Sequence, residues 1–74
     1  MIEKELSKRQ KEIYDFIGKY QADYGYPPLR REIAEHLELS MSTVLEHMEA
    51  MKEKGAIDWD DNIVRSIKLT TLSV

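Results

Sequence analysis

A chain of 74 residues with a net charge of -3 and no cysteine makes one small domain near the lower limit of independent stability, without disulfides or cysteine-held metal as staples. No apolar run approaches the roughly 20 residues of a membrane span and no signal-peptide pattern opens the chain, so a soluble, cytoplasmic protein is expected. Charge is unevenly spread: residues 1–31 carry seven bases against five acids, a net of +2, and residues 32–74 four bases against nine acids, a net of -5.

In chain order, residues 1–6 read as a frayed lead-in. Ser7 offers an N-cap with Gln10 three residues on, the pattern of a capping box. Ile13, Phe16, Ile17, Tyr20 and Tyr24 then recur at helical spacing, placing one apolar stripe on a helix over about residues 7–24. Gly25 and Pro27-Pro28 stop it. A second helix, about 30–38, buries Ile33, Ala34 and Leu37, although Leu29 stands where a capping hydroxyl is expected. Leu39 closes the turn as a core residue. Ser40 caps a third helix, about 41–54, which buries Val44, Met48 and Met51 and ends at Gly55, with Lys52 and Lys54 complementing its dipole. Residues 56–59 and 64–69 are strand-like around the polar turn Asp60-Asp61-Asn62, giving a hairpin over about 56–69. In the first strand Ile57 and Trp59 share a face; in the second, Arg65, Ile67 and Leu69 do. Residues 70–74 form a short tail.

Two short helices joined by a tight turn, the second beginning with small polar residues, are the sequence form of a helix-turn-helix, a shape that fits the major groove of DNA. With the hairpin behind it, the fold class is mainly α with a small β-hairpin: a three-helix winged helix-turn-helix in a single domain. No nucleophile has a plausible base and orienter, there is no glycine-rich phosphate loop, and no paired carboxylates mark a cleft, so an enzyme is not expected. His36 and His47 match no metal spacing, and neither metal nor cofactor is expected. Tyr20, Tyr24 and Tyr26 read as core and core-edge packing rather than a stacking platform, and Trp59 as a lid of the hairpin over the helices.

Ser7-Lys8-Arg9-Gln10, Tyr24-Gly25-Tyr26-Pro27-Pro28, Arg31-Glu32-Ile33-Ala34, Ser42-Thr43-Val44, Lys54-Gly55-Ala56-Ile57 and the pair Arg65-x-Ile67 together resemble the N-terminal DNA-binding domain of the LexA family, the bacterial SOS repressors. The resemblance covers about residues 6–69. It implies a winged helix that binds double-stranded DNA as a transcriptional repressor, with the third helix in the major groove and the hairpin as the wing. Four departures stand out. Glu38 replaces the family's glycine after Leu37; the turn into the third helix is about one residue shorter; Leu29 replaces a capping hydroxyl; and the wing loop is acidic. The family's self-cleaving, dimerising serine-lysine domain has no counterpart in these 74 residues, so the sequence reads as an excised domain or a stand-alone relative.

With Val44, Met48 and Met51 turned inward, Met41, Ser42, Leu45, Glu46 and Glu49 should face out. Met41, Ser42, Thr43, Leu45 and Glu46 are the expected base-contacting residues: Ser42 on a base edge or phosphate, Leu45 and Met41 against a thymine methyl, Glu46 accepting from a cytosine amino group. Ser7, Lys8, Arg9, Arg30, Arg31, Ser40, Lys54 and Arg65 are the expected phosphate contacts, since bases beside helix N-termini and along the wing hold a backbone in place. Arg65 could equally pair with an acid on the hairpin. A module this small implies a homodimer on paired half-sites. The rival reading is a winged helix that docks a protein, as an anti-repressor or partner of another regulator. It requires Glu46, Glu49, Asp58, Asp60 and Asp61 to form a continuous negative patch.

Overall fold

The computed structural model describes residues 6–70. Three helices, α1 (Lys8–Tyr24), α2 (Arg30–Leu37) and α3 (Met41–Glu53), precede two short strands, β1 (Ile57–Asp58) and β2 (Lys68–Leu69). The expectations for residues 1–5 and 71–74 lie outside the described residues. Leu6, read from sequence as part of a frayed lead-in, packs against the core.

Local chemistry sets the helix boundaries. The Ser7 hydroxyl accepts from the Gln10 amide at 3.2 Å while the Gln10 side chain accepts from the Ser7 amide at 3.1 Å, so the expected capping box forms. Gly25 ends α1 at φ 82, a left-handed conformation that costs glycine nothing, and its N–H closes on the Gln21 carbonyl at 2.8 Å. Leu29 offers α2 no side-chain cap, but the other half of a capping box forms: the Glu32 carboxylate accepts the Leu29 N–H at 2.7 Å. At the end of α2, Glu38 adopts φ 58 and ψ 45, and the following Leu39 N–H reaches the Ala34 carbonyl at 2.9 Å. A glutamate thus occupies a conformation that glycine takes without strain.

Ile13 and Ile17 of α1, Ile33 and Ala34 of α2, and Val44, Met48 and Met51 of α3 converge on one core, closed by Ala56, Ile57 and Ile67. Leu37, Leu39, Phe16, Trp59 and Leu69 seal its edges. Tyr24 departs from the expected stripe, being 60% exposed, and Tyr26 is exposed as well. The stripe carries the last turn of α1 beyond the core, and Tyr20, Tyr24 and Tyr26 pack on one another instead, with ring centroids 4.5 to 6.1 Å apart.

The hairpin is antiparallel, pairing Ile57 with Leu69 and Asp58 with Lys68, and its ladder is only two residue pairs long. The expected second strand, 64–69, forms only at its end. Arg65 sits at φ 58 and residues 60–65 close into turns, so the first half of that segment leaves the extended region. Ile63 and Val64 are consequently exposed at the wing tip.

Candidate nucleic-acid interface

The outward face of α3 is the first part of the site. Val44, Met48 and Met51 are fully buried, and this fixes the rotation of the helix, leaving Met41, Ser42, Glu46 and Glu49 exposed and Leu45 at the edge. The Ser40 hydroxyl accepts from the Thr43 amide at 3.2 Å and donates to the Thr43 hydroxyl at 2.8 Å. It also lies 3.2 Å from the Ser42 hydroxyl. Three hydroxyls therefore gather at the positive end of α3, where anions are favoured. Thr43 is half-buried, and its hydroxyl is committed to the cap; Ser42 is the more open of the two.

The expected phosphate-facing bases separate into two groups. Lys8, Arg9 and Arg31 lie exposed at the first turns of α1 and α2. Arg9 makes an exposed pair with Glu12 at 2.7 Å, and Lys8 and Arg31 pair with no acid among the described residues. Arg30, Lys54 and Arg65 are held inside the fold. The Lys54 ammonium donates to the buried Gln10 side chain at 2.8 Å. Arg30 donates to Asp61 at 3.0 Å and lies over the Trp59 ring.

Arg65 does pair with an acid, but not with one on the hairpin as expected: its partner is Glu32 on α2, which the turn at Arg65 brings within reach. Its two terminal nitrogens each donate to a different oxygen of Glu32 at 3.1 Å, and one also donates to the Pro27 carbonyl at 2.9 Å. Tyr20 donates to Glu32 at 3.1 Å, and the Arg65 guanidinium stacks 4.7 Å from the Tyr26 ring. This clasp ties the wing base to α2 and α1. Donors crowd the Glu32 carboxylate, Arg65 foremost and then the Leu29 amide, and hold its pKa down to about 2 from 4.5. Sequence reading missed Glu32 as the hub. Its one local signal was an acid three residues after a residue lacking a capping side chain.

Trp59 is the wing's second anchor. Two cations lie over its ring, Arg30 at 5.3 Å from the centroid and Lys52 at 4.5 Å, while its indole N–H donates to Asp61 at 2.7 Å. Lys52 pairs with Asp58 at 3.4 Å. Both Asp58 and Asp61 are pushed below the usual carboxylate range: Asp58 chiefly by the Trp59 amide and then Lys52, Asp61 chiefly by the indole and then Arg30. Asp60 is absorbed by the turn, accepting the Asn62 amide at 2.9 Å. The wing acids that the protein-docking reading relies on are thus largely engaged within the fold. Asp58 and Asp61 are each countered by a base, while Glu46 and Glu49 stay on α3.

His36 stacks on Phe16 with centroids 4.3 Å apart. Among the described residues no group of three or more His, Asp or Glu is placed to hold a metal ion, and no helix is long and apolar enough to cross a membrane.

Comparison with known proteins agrees with this architecture. A family profile described as the LexA DNA binding domain matches residues 3–66. The LexA repressor of Staphylococcus epidermidis is 46% identical over 69 residues, covering 92% of this chain and 34% of that protein. LexA repressor 1 of Geobacter sulfurreducens is 42% identical over 66 residues, covering 88% and 33%. The LexA repressor of Roseiflexus sp. (strain RS-1) is 37% identical over 70 residues, covering 93% and 32%. The chain thus spans about a third of the length of the curated relatives it matches. With its three helices, short wing and exposed α3, the chain belongs to the LexA DNA binding domain family.

Proposed function

We propose that this domain binds duplex DNA in a sequence-dependent way and serves as the operator-reading part of a transcriptional repressor. One observation carries the reading. The outward side chains Met41, Leu45, Glu46 and Glu49 make no hydrogen bond or ion pair within the described fold, while the inward side chains of the same helix are fully buried. A helix anchored on one face and unengaged on the other suits insertion into a major groove. Family membership supports the same reading.

In this proposal Ser42 and Glu46 meet polar base edges, and Met41 and Leu45 meet thymine methyl groups. Lys8, Arg9 and Arg31, with the Ser7 and Ser40 caps, take phosphates. Thr43, Lys54 and Arg65 act behind them as supports of the cap, the α1–α3 junction and the wing. A single module buries little surface, so two copies on paired half-sites supply the working affinity.

An amide-shift titration of the isotopically labelled domain with a mixed duplex pool at low salt tests this. Shifts are expected on residues 40–49, at the start of α2 and along the wing, and they should vanish as salt rises. Arg31→Ala should weaken binding to all sequences alike and flatten the salt slope by about one, whereas Ser42→Ala should change the ranking of sites. An unmoved spectrum at high DNA concentration overturns the proposal. Indifference to both substitutions overturns the assigned face.

A further inference from the structure

Two arginines reach the wing, and the fold holds them differently. Arg65 is gripped through both terminal nitrogens by Glu32 and through one of them by the Pro27 carbonyl. Bidentate pairing of this kind is strong and geometrically fixed. Arg30 makes one such bond, 3.0 Å to an Asp61 side chain that is itself 79% exposed, and its buried Nε has no partner among the described residues. A single-bonded pair whose acid is this exposed contributes little and exchanges readily.

Asp61 is nonetheless aimed. The Trp59 indole donates to the same carboxylate oxygen at 2.7 Å, and the Trp59 ring lies under the Arg30 guanidinium. One tryptophan therefore orients both the carboxylate and the cation it covers. A carboxylate and a phosphate offer a guanidinium the same kind of anionic oxygen acceptor. Arg30 begins α2 beside the exposed Arg31, where a DNA backbone is placed by the reading above.

We propose that Asp61 is a built-in phosphate mimic, occupying Arg30 in the free domain until a DNA phosphate displaces it. The inference rests on the DNA-binding reading. Its consequence is a lowered affinity for duplex DNA of any sequence, because the contact withheld is to the backbone and carries no base information. The acidic wing then acts as a brake on non-specific binding that leaves base readout by α3 intact.

The test compares wild type, Asp61→Asn, Arg30→Ala and the double variant by fluorescence anisotropy with a labelled mixed-sequence duplex over a salt series. Asparagine keeps an acceptor for the indole, and the exposed position tolerates the change; thermal melts of each variant check the fold. Asp61→Asn should tighten binding about three- to tenfold at low salt, because Arg30 then meets a phosphate without first leaving Asp61. In the Arg30→Ala background the same substitution should change almost nothing. Trp59, the single tryptophan of the chain, should also change its emission as wild type is titrated with DNA.

An unchanged affinity in Asp61→Asn overturns the proposal while leaving DNA binding in place. So does a gain that persists without Arg30, because it would report general relief of repulsion. If neither wild type nor Asp61→Asn binds any duplex, the DNA reading falls and the mimic falls with it.

Discussion

Replacing Glu32 by glutamine removes one charge from the clasp while keeping its shape, and the response should depend on pH in a defined direction. The Glu32 pKa is about 2 in the folded protein against an ordinary 4.5. A depressed carboxylate pKa contributes stability that is complete above the unfolded value and is lost as pH falls through the folded one. The full shift corresponds to about 3 kcal/mol. The Arg65 and Glu32 side chains are 29% and 26% exposed, and solvent screening reduces the contribution to about 1–2 kcal/mol. Glu32→Gln should therefore lower stability by about that amount at pH 7, a fall in Tm of roughly 5–15 °C for a domain of this size. Between about pH 4.5 and pH 2 the wild-type and variant stabilities should converge. Urea titrations at pH 7, 5, 3 and 2, followed by Trp59 fluorescence and by circular dichroism, provide the measurement. Asp58 and Asp61, both held below the usual carboxylate range, also respond to acid, so the difference between the two proteins, rather than either curve, is what isolates Glu32. A gap that is already absent at pH 7, or that persists undiminished at pH 2, refutes the reasoning.

Glu38→Gly should raise stability by about 0.5–1 kcal/mol, since it removes the strain of a glutamate at φ 58 in the turn between α2 and α3; chemical denaturation of the two proteins compares them, and a loss of stability would show that the Glu38 side chain matters more than its backbone. Met48→Ala, which empties a fully buried position on α3, should cost about 2–5 kcal/mol and leave the domain largely unfolded at 37 °C, as read by the loss of helical circular dichroism.

The helices were legible because their signals are local. The Ser7 and Gln10 box, the glycine stop at Gly25 and the Ser40 cap all act within a few residues, and each appears where the pattern placed it. Periodicity likewise assigned Val44, Met48 and Met51 to the core. The wing was legible only in outline, because its geometry is set by partners 31 to 33 residues away: Arg30 with Asp61, and Glu32 with Arg65. A strand-like run says nothing about an arginine that leaves the extended region to reach such a partner. The same distance explains the charge puzzle. Counted along the chain, the second half looks uniformly acidic, yet bases from α2 and α3 counter Asp58 and Asp61 on the folded surface. At Leu29 the missing cap and the acid three residues on were both visible in the sequence; that the same Glu32 grips Arg65 became apparent only with the fold.

The division of labour along α3 bears on how such a domain can change. Its last turn, through Lys52 and Lys54, is tied to the wing and to α1, whereas Met41, Leu45, Glu46 and Glu49 are bonded to nothing else in the described fold. Substitutions at unengaged surface positions usually alter stability by no more than about 0.5 kcal/mol. The three exposed ones, Met41, Glu46 and Glu49, are therefore close to neutral ground for folding, open to nearly any side chain at little cost to the core. On the proposed reading of α3, a lineage can drift across operator sequences there without an intermediate that fails to fold. A library randomised at these positions should consist mostly of folded members that differ in what they recognise.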